Sequence, residues 1–124
     1  MPETRLLPTS SNADLGGALS KLREMWLPAP THELEAALAT LATITIRSGQ
    51  PNDEDYCALQ MSAYVRKLQL YPGDIALMVI DRWASSSKFW PSWCELEEKL
   101  AFWSRWRRRA LTAIEYATRN GFDA

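Results

Sequence analysis

The chain has a single histidine, His32, and only two cysteines, Cys57 and Cys94. Metal sites in proteins gather several such ligands at tight spacing, so this composition predicts no metal site. The cysteines lie far apart and form no CxxC pair, which favours two reduced thiols over a disulfide. His32 stands beside a predicted helix start, with no nucleophile identifiable near it, and we interpret it as a surface or capping residue.

Glycine is also scarce, and the phosphate-binding patterns GxxxxGK[ST] and GxGxxG are missing. The pair Gly16-Gly17 lies inside a helical pattern and is not a phosphate loop. The run Asp53-Glu54-Asp55 lacks the spacing of an EF-hand loop and is typical of the first turn of a helix. We therefore predict no catalytic residue, no cofactor and no enzymatic activity. Four further carboxylates could meet in the fold, but nothing in the sequence selects a catalytic pair among them: Asp14, Asp74, Asp81 and Glu115.

The formal net charge is only −1, and long hydrophobic runs are missing as well. No apolar stretch approaches the roughly 20 residues that a membrane-spanning helix needs. Pro2, Pro8 and the polar residues 9–12 argue against a signal peptide. We predict a soluble cytoplasmic protein with no membrane partner, and the near-neutral charge makes nucleic acid a disfavoured partner.

What the chain does have is helical periodicity and enough apolar residues, 47% of the total, for one core. A length of 124 residues is typical of one domain. Residues 1–12 show little periodicity and are predicted to form an extended or disordered lead-in, with a single helical domain over 13–124. We predict an all-α fold, a small five-helix bundle with a central helix hairpin and a long C-terminal helix.

The first predicted helix starts at a cap, Asn12 or Asp14, and ends before Pro28. Its apolar stripe has spacings of four, three and four residues, which is one face of an amphipathic helix. The stripe consists of Leu15, Leu19, Leu22 and Trp26.

The second predicted helix has Thr31 as its N-cap. Its β-branched tail, residues 43–46, is locally strand-like, but the alanine-rich run before it favours helix, and we predict helix throughout. Residues 52–55 open a third helix. The second helix has the stripe Leu34, Leu38, Leu41 and Thr45, and one face of the third carries Cys57, Met61, Tyr64, Val65 and Leu68.

Asp74 is the predicted cap of a fourth helix, Ile75 to about Ala84. Ser92 and Glu95 then fit a capping box, in which the serine accepts from the N3 amide and the glutamate reaches back. No proline or glycine follows until Gly121, so the fifth helix is predicted to run to about Arg119 and to form the hairpin with the fourth.

An aromatic turn, residues 88–93, joins these two helices. Phe89 and Trp93 are expected to fill the elbow between the helices, which would leave Trp90 as the exposed member of the turn.

The segment Phe102–Arg109 is the strongest interaction candidate, because arginine and tryptophan alternate in it. Three interpretations remain open: a solvated structural face, a protein interface in which Trp and Arg act as hot spots, and a nucleic-acid surface. The predicted partner-binding residues are Phe102, Arg105, Trp106, Arg108, Arg109 and Trp90.

One pattern within residues of about 61–100 carries a family resemblance. Tyr71-Pro72 precedes an apolar helix, and a turn then runs from Ser87 through Phe89 and Pro91 to Glu95. This arrangement is similar to the helical domain of the phage helicase loader/inhibitor family, where a tyrosine-proline starts a helix and an S/T-x-F-x-P-T/S turn leads into the next. The resemblance implies an all-helical adaptor that engages a host replicative helicase, and it carries over no individual binding residue.

Three functions follow as expectations. The first is a non-enzymatic phage or prophage replication accessory protein that binds a host replicative helicase. The second is a phage-encoded, anti-CRISPR-like inhibitor that binds a host defence complex. The third is a small helical DNA-binding protein that uses Arg105 to Arg109. A homodimer through the long helix is compatible with each of them.

Overall fold

A computed structural model describes residues 12–47 and 53–120 of the chain. These residues form five α-helices and no strand, so the predicted all-α class and the long C-terminal helix are confirmed. The predicted lead-in before Asn12, the side chains of Asp14 and Leu15, and Asn52 lie outside what is described. The helices are α1 (Asn12–Glu24), α2 (Thr31–Ile44), α3 (Glu54–Leu68), α4 (Gly73–Ser86) and α5 (Trp93–Arg119).

The described residues divide into two compact units, and the division falls inside α5. The larger unit is Leu27–Ser104, with α2, α3, α4 and the first half of α5. The smaller unit joins α1, up to Trp26, to the second half of α5 from Arg105 onwards. Each unit is described by itself below, and the prediction of a single helical domain stays a prediction.

The core of the larger unit is built from the predicted stripes. Helix α2 packs against α3 and α4. Along α5 the buried row continues at spacings of four through Ser104, while Trp103, predicted to extend this row, is 40% exposed. The core side chains include Leu34, Leu38 and Leu41 of α2, Tyr64, Val65 and Leu68 of α3, Ile75, Val79 and Ile80 of α4, and Leu96 and Leu100 of α5.

Two predicted helix caps are wrong, and a proline is the reason in each case. Pro30 and Pro72 occupy the N-cap positions of α2 and α4, and neither start has a side-chain cap. Thr31 is instead the first residue of α2, and its hydroxyl accepts a hydrogen bond from Gln69 Nε2 at 2.9 Å. Asp74 lies exposed inside the first turn of α4, where its charge suits the positive end of the helix dipole.

The other two predicted helix starts are confirmed. Asp53 is the N-cap of α3, and its carboxylate accepts from the Tyr56 backbone N–H at 2.8 Å. Ser92 and Glu95 form the predicted capping box: Ser92 Oγ accepts from Glu95 N at 3.2 Å, and Glu95 Oε1 accepts from Ser92 N at 2.9 Å. These bonds satisfy amides that the first turn of a helix otherwise leaves unpaired.

The tail of α2 is not helical throughout. The helix ends at Ile44, and Thr45 is extended. Ile46 then pairs with the α4–α5 turn: its N–H donates to Lys88 O at 2.8 Å, and its carbonyl accepts from Trp90 N at 2.9 Å. The β-branched residues thus follow their extended preference where a second extended segment supplies backbone partners.

Gly73, the first residue of α4, marks the closest approach between chain segments in the larger unit. Its N–H donates to Leu27 O at 2.9 Å. A Cβ at this position would lie 2.8 Å from the Ala29 Cα and closer still to the Ala29 amide nitrogen. Only glycine lets these backbones meet, which fixes the entry of α4 into the core.

In the smaller unit, polar contacts hold α1 and the end that follows it against α5. Arg107 Nη1 donates to Met25 O at 2.9 Å. Arg23 Nη2 donates to Glu115 Oε2 at 3.3 Å in an exposed ion pair. The Arg108 guanidinium lies 5.0 Å from the centre of the Trp26 ring. Among the α1 residues whose side chains are described, Leu19 and Leu22 are half-buried, so these polar contacts supplement a modest apolar contact.

Candidate functional site

An exposed face with basic and aromatic side chains runs along the second half of α5. Arg105, Arg109, Thr112 and Tyr116 follow each other at spacings of four, three and four residues, and all are exposed. Tyr116 is 63% exposed. This spacing places them on one side of the helix, opposite the row that faces its neighbours. We call this set, together with Trp106, the arginine-aromatic face.

Trp106 is the most exposed large apolar side chain of the face, with 70% of its surface accessible. Arg109, three residues on, places its guanidinium 5.7 Å from the Trp106 ring centre. Stacking of this kind orients the indole and limits its rotamers, so less conformational entropy is lost when a partner binds it. Trp106 and Tyr116 are both exposed on this half of α5, and a group of exposed aromatic side chains on one helix is a candidate binding surface.

The four arginines within residues 105–109 do not lie on one surface. Arg107 is half-buried and bonds to the Met25 carbonyl, and Arg108 covers Trp26. Both therefore have structural roles in the smaller unit. Arg105, Trp106 and Arg109 remain on the arginine-aromatic face, so three of the six predicted partner-binding residues are brought together there.

The charge along α5 is polarised. Residues 93–104 carry three glutamates and one lysine, whereas residues 105–119 carry five arginines and one acid, Glu115. Acids near the start and arginines near the end of a helix both suit its dipole. Glu115 pairs with Arg23, and the five residues that define the arginine-aromatic face are two arginines, two aromatic residues and one threonine.

Phe102 lies one turn before this face, within the larger unit. It is 51% exposed and meets Trp103 edge-to-face, with ring centres 5.3 Å apart. Its predicted role in binding a partner stays a prediction.

The prediction that Trp90 is the exposed member of the aromatic turn is wrong. Trp90 is only 7% exposed. Its ring centre lies 5.5 Å from the Tyr64 ring centre and 5.3 Å from the Arg47 guanidinium. Phe89 is 47% exposed instead. The reason is the pairing with Ile46, which turns the Trp90 backbone towards the core. Trp90 is a core residue in this structure and not a surface for partners.

Tyr64 connects this cluster to the start of α5. Its hydroxyl donates to Pro91 O at 2.8 Å. Burial raises the pKa of Tyr64 above its ordinary value of 10.0, and the neighbouring Trp90 and the Arg47 charge oppose that rise. The protonated phenol is thus the form that the fold uses.

Sequence reasoning missed Tyr116, although its position eleven residues after Arg105 is a readable helical signal. It also missed a groove between α4 and α5 in the larger unit. This groove has a volume of about 320 Å³ and includes Arg82, Trp83, Lys99 and Trp103 in its lining. A readable signal for it is the helical spacing of Val79, Arg82, Trp83 and Ser86.

Within the described residues, no three His, Cys, Asp or Glu side chains are arranged so that they could hold a metal ion. Among the carboxylates left open by the sequence, Asp74 and Asp81 belong to the larger unit, and Glu115 is engaged by Arg23 in the smaller one. Both cysteines, Cys57 and Cys94, are free thiols. The prediction that the chain is not an enzyme stays a prediction.

None of the described helices is both long enough and apolar enough to cross a membrane.

Comparison with known proteins found no match to this chain among protein-family models, curated proteins or solved structures.

Proposed function

We propose that this chain is a non-enzymatic interaction module that binds a partner protein through the arginine-aromatic face of α5. The observation that carries the proposal is Trp106, 70% exposed and stacked against Arg109. Tryptophan and arginine are the residue types that most often dominate the binding energy of protein interfaces. Tyr116 extends the same face by a further aromatic group with a polar tip.

Charge and geometry favour a protein over a polynucleotide on this face. A nucleic-acid surface needs a row of cations that follows the phosphates. Of the five arginines between residues 105 and 119, Arg107 bonds to Met25 and Arg108 covers Trp26. Arg105 and Arg109 lie beside the exposed Trp106 on the arginine-aromatic face, which suits a partner surface with an apolar pocket and an acidic rim.

As the partner we propose a host replicative helicase, on the ground of the resemblance between residues of about 61–100 and phage helicase loaders and inhibitors. An all-helical chain is in keeping with such an adaptor. The module would act by occupying a surface of the helicase, in the cytoplasm of the host, and it needs no cofactor for that role.

The test is direct binding of the purified chain to a purified hexameric bacterial replicative helicase, measured by fluorescence anisotropy. We expect saturable binding that Trp106→Ala weakens by about thirtyfold, the effect of one interface hot spot of ~2 kcal/mol. Arg109→Ala should weaken it by about tenfold or less. Neither change should lower the thermal midpoint appreciably, because both side chains are exposed.

A matched control lies on α3, where Leu59 is 71% exposed and Arg66 is exposed. Leu59→Ala and Arg66→Ala remove a large apolar and a cationic group from a different helix and should leave the affinity unchanged. Equal losses for both pairs of variants would reject the arginine-aromatic face. No binding by the wild-type chain would reject the helicase as the partner, and tight DNA binding that weakens steeply with salt would reject the preference for protein.

A further inference from the structure

The groove between α4 and α5 in the larger unit combines an apolar floor with a cationic rim. From α4 it takes Val79, Arg82, Trp83 and Ser86, which recur at helical spacing on one face, and from α5 it takes Lys99 and Trp103. Val79 is buried, at 2% exposure, whereas Trp103 is 40% exposed. The groove therefore has a closed floor and an accessible indole wall.

Both indoles are held in place. Trp83 Nε1 donates to Phe89 O at 2.7 Å, which fixes the ring against the turn. The Arg82 guanidinium lies 5.0 Å from the Trp103 ring centre. Preorganised aromatic walls lose little entropy when a ligand enters, so they favour binding.

The charge of the lining is of one sign. Arg82 and Lys99 are the charged residues of the groove, and no acid lines it. The end of α4 would place partial negative charge nearby, but Ser86 Oγ donates to Arg82 O at 2.9 Å and Ser87 N donates to Trp83 O at 3.0 Å. These bonds satisfy two of the last carbonyl oxygens of α4, and the charged side chains in the lining are the two cations.

The volume of about 320 Å³ lies at the small end of ligand sites. It suits one or two bulky side chains better than a cofactor. A polynucleotide would need further cations, and the helix turn around Lys99 instead carries Glu95, Glu97 and Glu98. A short protein segment with acidic side chains next to bulky apolar ones matches the groove. The apolar side chains fit its apolar floor, and the acidic ones fit its cationic rim.

We infer that the α4–α5 groove is a docking site for a short acidic protein segment, which inserts a bulky apolar side chain between Trp83 and Trp103 and pairs its carboxylates with Arg82 and Lys99. This site does not rest on the proposed function, because all of its residues belong to the larger unit. It gives the chain a second binding surface besides the arginine-aromatic face.

The experiment titrates a short peptide, Leu-Phe flanked on both sides by Asp and Glu, into the nitrogen-labelled full chain. Two-dimensional NMR follows the indole N–H signals, which Trp83→Phe and Trp103→Phe assign. We expect saturable shifts of these two indole signals. Peptides with amides in place of the acids, or with Gly-Ser in place of Leu-Phe, should not produce them.

The paired variant Arg82→Gln, Lys99→Gln should weaken binding by up to about tenfold, since it removes two charge pairs at the exposed rim of the groove. The control Arg66→Gln, Lys67→Gln removes two exposed cations from α3, one of which, Lys67, also lies over an indole, that of Trp93. The control should bind the peptide within about twofold of wild type. Both variants keep the long side-chain stems, and a thermal melt verifies that each is folded.

Three results would overturn the inference: no saturable shift of the two groove indoles, equal weakening by the α3 control, or displacement of the peptide by a single-stranded oligonucleotide that shifts the same signals. The two sites are separated by Trp106→Ala, which should weaken helicase binding by about thirtyfold and leave peptide binding intact. If the helicase fails to bind but the peptide binds the groove, the docking site stands and only the proposed function falls.

Discussion

Arg107 reaches from the middle of α5 to the carbonyl oxygen of Met25, with 2.9 Å between Nη1 and the oxygen. This bond closes the turn that follows α1 onto the long helix. It also removes one arginine from a block of basic residues that reads, in sequence, as a continuous cationic surface. These basic residues therefore have two roles: Arg107 fixes the turn after α1, whereas Arg105 and Arg109 lie on the arginine-aromatic face.

The first prediction concerns the hydrogen bond from Arg107 to Met25 O. Arg107→Ala should lower the free energy of unfolding by about 1–2 kcal/mol, because a charge-assisted hydrogen bond and the packing of the arginine stem are lost together. Urea denaturation followed by circular dichroism measures the loss. Arg66→Ala, at an exposed position of α3, is the control and should cost less than about 0.5 kcal/mol. Similar losses for the two variants would contradict the structural role of Arg107.

The second prediction concerns the aromatic turn. Trp90→Ala should destabilise the fold by about 3–5 kcal/mol, because it empties a site packed between Tyr64 and Arg47. Phe89→Ala, which removes a side chain that is 47% exposed, should cost less than about 1.5 kcal/mol. The two midpoints of thermal unfolding give the comparison. If Phe89→Ala were the more damaging change, the burial of Trp90 would be wrong.

The third prediction tests the close approach at the start of α4. Gly73→Ala should destabilise the fold by about 1–3 kcal/mol, because its Cβ would overlap the Ala29 backbone and force the two segments apart. Gly17→Ala is the matched control: it adds the same methyl group in α1, where nothing lies within 4 Å. That variant should be neutral or stabilising by up to about 1 kcal/mol, since alanine favours helix over glycine. Chemical denaturation of both variants decides the point, and a stabilising Gly73→Ala would refute the contact.

The fourth prediction concerns alkaline pH. Because burial raises the pKa of Tyr64 above 10.0, the unfolded chain releases this proton at lower pH than the folded chain. The corresponding stability is fully present below about pH 10 and is lost as the pH rises through the folded pKa. Urea midpoints measured between about pH 8 and pH 11 should therefore fall at the alkaline end.

Tyr64→Phe should flatten that fall and cost about 1 kcal/mol at neutral pH, because Pro91 O loses its donor. Tyr116→Phe, at a side chain that is 63% exposed, serves as the control and should leave the pH profile unchanged. A wild-type profile that stays flat at alkaline pH would contradict the raised pKa.

The helices themselves were readable before the fold was known. The stripe of Leu34, Leu38 and Leu41 is buried as its spacing predicts, and the Ser92–Glu95 capping box forms. These features depend on contacts within four residues along the chain, so periodicity and cap chemistry suffice to identify them. The caps predicted at Thr31 and Asp74 failed because the preceding prolines already occupy the cap positions.

The candidate site was only partly readable. The exposure of Trp106 follows from helical spacing once α5 is known, and Tyr116 could have been found in the same way. The separate roles of Arg107 and Arg108 could not, because their partners, Met25 and Trp26, lie about eighty residues away in sequence. The groove was hidden for a similar reason, since its walls come from two helices whose facing sides depend on how they pack.

The sequence by itself determined the five helices, the buried stripes of α2 and α3 and the polarised charge of α5, because local hydrogen bonding and amphipathic periodicity act over a few residues. Only the tertiary structure decided which aromatic residue of the α4–α5 turn is buried and which arginine bonds to the turn after α1. Both outcomes depend on backbone groups brought from elsewhere in the chain: Ile46 orients Trp90 towards the core, and Met25 captures Arg107. A buried polar backbone group needs a hydrogen-bond partner, and that partner can come from a distant part of the chain. The spacing of residues in the sequence does not show which partner it is.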